Sequence, residues 1–203
     1  MHWQRLDRDT SIKVIDSVKS DVNAGMFSIG TSEVQRARIP FYKDYFIYKV
    51  TNFASLPSFS FEYLSDGTFF NYLDGTDAPI YAVNDKGVLT LNQNNILSYL
   101  DFYFSKVGGE DGEDIIVINN PHDMPLLDSL DADAYNAVFN QHRPAEITLD
   151  SNLNKFTIEA DMYSDSQLVR AQIEVTGKGR VKILSQKMIM HEVVKPDYPE
   201  ASY

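Results

Sequence analysis

The chain has no cysteine. That absence excludes disulfides, thiolate nucleophiles, cysteine-held zinc and iron–sulfur centres, and it leaves the redox compartment open, since neither a cytosolic nor a secreted chain of this length requires the residue. Bases are scarce as well: 18 Lys and Arg stand against 29 acids, for a net charge of −11. A duplex nucleic-acid binder takes its affinity from neutralising phosphates, so neither nucleic acid nor an anionic membrane is an expected partner. No stretch approaches the roughly 18 consecutive apolar residues of a membrane span. The opening Met1-His2-Trp3-Gln4-Arg5-Leu6-Asp7-Arg8-Asp9 lacks the apolar core of a secretory signal. The expectation is a soluble, cytoplasmic protein.

What is present is ample apolar material, 43% of 203 residues, enough for a sizeable core. The negative charge is unevenly placed. Residues 105 to 165 hold 13 acids and three bases, whereas residues 166 to 195 hold six bases and two acids. A solvated, solubilising surface explains this; a metal site or a face for a basic partner is the sharper reading, and opposite charges segregated on one chain also suit a homodimer.

Residues 10 to 22 place Ile12, Ile15, Val18 and Val22 near one helical face, with Asp9, Thr10 or Ser11 as the cap. Between Phe41 and Phe104 lie 17 of the 25 aromatics, many at alternate positions, a period that predicts strands. Strands are expected at 45–52 and 58–64, with Asp66-Gly67 turning the chain into Phe69, Phe70 and Tyr72. Residues 79–83 and 88–91 read as a second hairpin. Ile96, Leu97, Leu100, Tyr103, Phe104 and Val107 cover so wide an arc that a buried helix is predicted near 93–107, capped by the Asn92–Asn95 run and stopped at Gly108-Gly109. The apolar run 115–118 reads as a central strand, and a shorter helix is expected near 131–142, where Pro144 ends it. Alternation resumes at Phe156, Ile158, Ala160 and Met162, and again at Val169, Ala171, Ile173 and Val175. With 147–149 before and 181–183 after, these make a C-terminal β-meander, whose slipped parity beyond Ile183 predicts a bulge.

The expected class is therefore α+β, mainly antiparallel sheet. A half-exposed helix face and a half-exposed sheet face complement one another, so residues 1–195 are expected to form a single domain, with a candidate sub-boundary at 108–114 and a loose tail at 196–203.

No stretch carries a cofactor or metal signature. Gly177-Lys178-Gly179-Arg180 lacks phosphate-loop spacing, and Gly25 to Gly30 misplaces its serine for a nucleophile elbow. His191-Glu192 has Lys195 where a second zinc histidine would stand, and neither Asp74 nor Asp131 begins an EF-hand loop. The acidic run Glu110-Asp111-Gly112-Glu113-Asp114 could hold a cation but needs none as a solvated loop.

The catalytic candidates are His122, Asp123 and His142, since a histidine titrates near neutrality and loops leaving strands often carry acid–base groups. Ligand-binding candidates are Tyr63, Phe70 and Tyr72, as an aromatic wall, together with Arg170 and Arg180, expected on the solvent side of the meander. The favoured function is a noncatalytic domain that binds a small apolar ligand or a protein partner. The alternative is a small cofactor-independent hydrolase or isomerase using His122 with a nearby carboxylate.

Overall fold

The computed structural model describes residues 1–19, 24–108 and 114–190. The chain is α+β and divides into two compact units, Met1–Asn95 and Ile96 onward, a division just ahead of the buried helix.

The first unit is built on a five-stranded antiparallel meander in the order β1 (Trp3–Arg5), β2 (Ser32–Arg38), β3 (Phe46–Asn52), β4 (Phe59–Ser65), β5 (Phe70–Tyr72). Helix α1 (Arg8–Val18) begins one turn earlier than its apolar spacing alone requires, because Asp7 caps it by accepting from the Thr10 amide at 2.9 Å. Val14, Ile15 and Val18 pack against Val34, Tyr48, Val50 and Tyr63 of the sheet. The Asp66-Gly67 turn forms as expected, with Gly67 at φ +92° and the Asp66 carboxylate accepting from the Thr68 and Phe69 amides.

The hairpin expected at 79–91 is corrected. Residues Ala78–Asn84 form helix α2, which packs against β4 and β5. Pro79 sits in the first turn, where its missing N–H costs nothing, and burial of Ile80, Tyr81, Val83 and Asn84 follows a helical rather than a strand period.

In the second unit, α3 (Ile96–Phe104) is the buried helix, with Ile96, Tyr99, Leu100, Phe102, Tyr103 and Phe104 all out of solvent. The sheet runs β10 (Val181–Met190), β9 (Gln167–Thr176), β8 (Lys155–Ser164), β6 (Ile116–Ile118), while β7 (Glu146–Asp150) pairs with the first half of the same β8 edge. Strand β6, Ile116–Ile118, is thus an edge strand and not a central one: among the described residues its partners are Tyr163 to Asp161. Its wholly apolar character comes from being covered on both faces, not from having two neighbours.

The meander follows the predicted alternation. Asp165 and Ser166 both take left-handed backbone, making a two-residue turn that pairs Ser164 with Gln167. A Cβ at Gly177 would overlap the Asn154 carboxamide, so any side chain there would require Asn154 to move. A bulge between Ile183 and Ser185 restores β10 to register, as the slipped parity predicts.

The two faces of this sheet differ. One carries Phe156, Ile158, Ala160, Met162, Ala171, Ile173 and Val175, all buried. Tyr99 of α3 reaches past the end of the meander to donate its hydroxyl to the Gly179 carbonyl at 2.5 Å. The other face packs Ile118, Leu168 and Tyr163 against Val138, Tyr135 and Phe139 of α4 (Ala132–Gln141) and against Met124 and Leu127 of the preceding loop. Among the described residues no helix is long and apolar enough to cross a membrane.

Candidate functional site

Helix α4 is set by Asp131, whose side chain accepts from the Ala134 amide at 2.8 Å, and it ends at Gln141, where His142 leaves helical geometry at ψ 138°, two residues ahead of Pro144. The chain leaving it crosses the α4-covered face of the sheet and brings His142 and Arg143 over Asp161 of β8. There His142 Nδ1 lies 2.8 Å from Asp161 Oδ2, which also accepts from the Arg143 amide at 3.1 Å. Arg170 Nη1 donates to Asp161 Oδ1 at 3.0 Å and to the Arg143 carbonyl at 2.9 Å, and Nη2 reaches the Pro144 carbonyl at 3.3 Å.

Asp161 is 1% exposed, and an arginine and two N–H donors surround its carboxyl group, satisfying a polar group whose burial alone would be costly. The bond to the carboxylate requires His142 to carry its proton on Nδ1. His142, Asp161 and Arg170 together fasten the end of α4 to two neighbouring strands.

Two of the sequence candidates, His142 and Arg170, are brought together here by a residue the sequence reading missed. The register was nevertheless legible: a two-residue turn at Asp165-Ser166 pairs Asp161 with Arg170 directly. What strand alternation cannot reveal is that the exit of α4 roofs this polar face, and so Arg170 is not on the open solvent side expected for it. Its guanidinium is mostly covered.

The other candidates lie apart. His122 is exposed on a single 3-10 turn, Pro121–Asp123, whose Asn120 cap accepts from the His122 amide; its ring sits edge-on to Phe139 at 4.9 Å. Among the described residues it shares no hydrogen bond with a carboxylate. Tyr63 is fully buried in the first unit, and Phe70 and Tyr72 lean on it with ring centroids 6.2 and 5.5 Å away. Arg180 is exposed in the turn between β9 and β10. Glu110 to Glu113, the His191-Glu192 pair and the 196–203 tail lie outside the described residues.

Asp123 has an electrostatic consequence on α3. The Asp101 carboxyl is raised above its ordinary value, first by partial desolvation and also by the nearby Asp123 charge, against the opposing hydrogen bond from the Asn119 amide. A raised folded value means the native state holds the proton more tightly than the unfolded chain does. This contribution is therefore favourable in acid and is lost as pH rises through the raised value. Asp101→Asn should stabilise the protein at pH 7 by a few tenths of a kcal/mol, because the site is solvent-accessible and screened, and the gain should vanish near pH 3. Thermal melts of both proteins at the two pH values check the sign.

Two concavities of the second unit are large enough for small molecules. The larger, about 840 Å³, lies between Tyr103, Phe104 and Val107 at the end of α3 and Val169, Val181 and Ile183 of the sheet. Ser164, Gln167, Ser185 and Gln186 supply hydrogen-bonding groups, and among the described residues its ionisable lining groups are Asp165 and the Tyr103 phenol. The smaller, about 410 Å³, opens on the α4-covered face beside the Asp161 cluster and is lined by Arg143, Arg170, Lys187 and Glu159 among others. Comparison with protein-family models, with curated proteins and with solved structures gives no match to this chain.

Proposed function

We propose that the protein is a noncatalytic binding domain whose working surface is the larger concavity of the second unit, taking a small, uncharged ligand that presents an apolar face together with hydrogen-bonding groups. The observation that carries this reading is the lining itself: a concavity of drug-sized volume in which an aromatic and aliphatic patch is interleaved with at least as much polar surface from amides and hydroxyls, with no histidine or cation among its described lining residues. A hydrolase or isomerase would instead want a base oriented by a carboxylate at the wall of a cleft. His122 has Phe139 beside its ring, and the carboxylate that His142 meets is already neutralised by Arg170.

The test is titration of the intact protein with a neutral apolar fluorophore, N-phenyl-1-naphthylamine. Saturable enhancement is expected. Leu184→Glu places a charge on the lining at a position already 43% exposed, so the fold tolerates it, and it should weaken binding about tenfold. Absence of saturable enhancement, or enhancement indifferent to this substitution, overturns the reading.

A further inference from the structure

The smaller concavity has a different chemistry, and we infer that it is a binding site for a small oxyanion, a carboxylate or phosphate group, held by the open edge of Arg170 with Arg143 and Lys187. The argument starts from donor accounting. A guanidinium has five N–H groups, and the Asp161 carboxylate and the Arg143 and Pro144 carbonyls occupy three of them. The Nε–H and one Nη2–H are left without an acceptor among the described residues, on an arginine whose side chain is only 16% exposed. Nε and Nη2 form one planar edge of the group, the arrangement that takes a carboxylate or phosphate bidentately. Because three bonds already fix the guanidinium, that edge is preorganised and loses little entropy on binding.

Charge points the same way. Lys187 of β10 lies directly opposite Arg170 of β9 on one face of the sheet, so the cation there is Lys187, beside a guanidinium whose own charge is met by Asp161. Arg143 reaches the same concavity from the exit of α4. Neither Arg143 nor Lys187 has a side-chain ion pair among the described residues, in a chain whose acids outnumber its bases. Glu159 also lines the concavity, opposite Gln172 on β9 and unpaired with a cation. It disfavours a bare polyanion and favours a ligand that carries a hydroxyl or ammonium group beside its oxyanion.

The test titrates the full chain, by amide-resolved NMR at constant ionic strength, with inorganic phosphate and separately with glycolate, using chloride as the reference. Saturable shifts at Arg170, Lys187 and Ile189 are expected with at least one oxyanion, and glycolate above phosphate would identify the carboxylate source. Lys187→Gln, at an exposed position, should weaken binding about fivefold, and Glu159→Gln should tighten it by a similar factor. Opposite signs from two exposed, nearly isosteric changes cannot come from a general loss of structure, and matched thermal melts would confirm intact folds. The site is refuted by shifts that grow linearly without saturation, or by affinities that neither substitution moves. Because this concavity and the larger one share no lining residue among those described, its failure would leave the reading of the larger one untouched.

Discussion

Asp161→Ala should lower the stability of the second unit by about 3–5 kcal/mol, the cost typical of breaking a buried charge pair from one side. The substitution removes the acceptor for three donors at once: the His142 ring, the Arg143 amide and Arg170 Nη1. What remains is a cationic guanidinium, largely covered, whose partners among the described residues are then two backbone carbonyls. That uncompensated charge, not the lost attraction, supplies most of the penalty. Replacing both partners with apolar residues, Asp161→Leu with Arg170→Met, should therefore recover much of the loss, since the desolvation cost disappears together with the pair. Urea unfolding followed by far-UV circular dichroism measures both variants. A loss below about 1 kcal/mol for Asp161→Ala would place the cluster among solvent-screened surface pairs and contradict its burial.

This cluster marks where sequence reading stops. The meander, its turns and its bulge were all legible, because strand alternation and left-handed turn residues are local properties of the chain. The buried helix was legible for a similar reason: an apolar arc as broad as that of Ile96 to Phe104 has no stable exposed form. Strand β2 was not, since only Val34 and Ala37 of its seven residues are buried and its alternation is masked by Glu33, Gln35, Arg36 and Arg38. Helix α2 was misread because a short apolar run fits both periods, and the tertiary contacts with β4 and β5 decide between them.

The candidate sites divide along the same line. Arg170 and His142 could be nominated as residue types, but Asp161 looks like any solvent-facing polar position in an alternating strand. Its importance comes from α4, a helix ending at Gln141, whose exit delivers a histidine and a backbone amide to its carboxylate. Lys187 enters the oxyanion site through the bulge between Ile183 and Ser185, which resets the side to which Ser185 to Met188 point before a second irregularity follows at Met188–Met190. Neither placement is encoded within a window of ten residues.

Tyr63→Ala should destabilise the first unit by about 3–5 kcal/mol, the range for truncating a buried aromatic, and this decides what the aromatic-rich strands do. Tyr63 is fully buried and packs among Tyr48, Phe70 and Tyr72, with Val14 and Val18 of α1 in the same cluster. A ligand-lining wall would answer differently: a partly open ring lost from a pocket costs little stability and mainly affinity. The chain's single tryptophan offers a local reporter, because Trp3 lies in β1 of this unit. In urea, the Trp3 emission midpoint of Tyr63→Ala should fall by the full amount. If the chain unfolds as the one continuous domain expected from its complementary apolar faces, the circular dichroism midpoint, dominated by the longer strands of the second unit, should fall with it. A fluorescence transition that moves alone would mean two independently cooperative units, and the ordered pair of midpoints would then assign Asp161 and Tyr63 to separate cores.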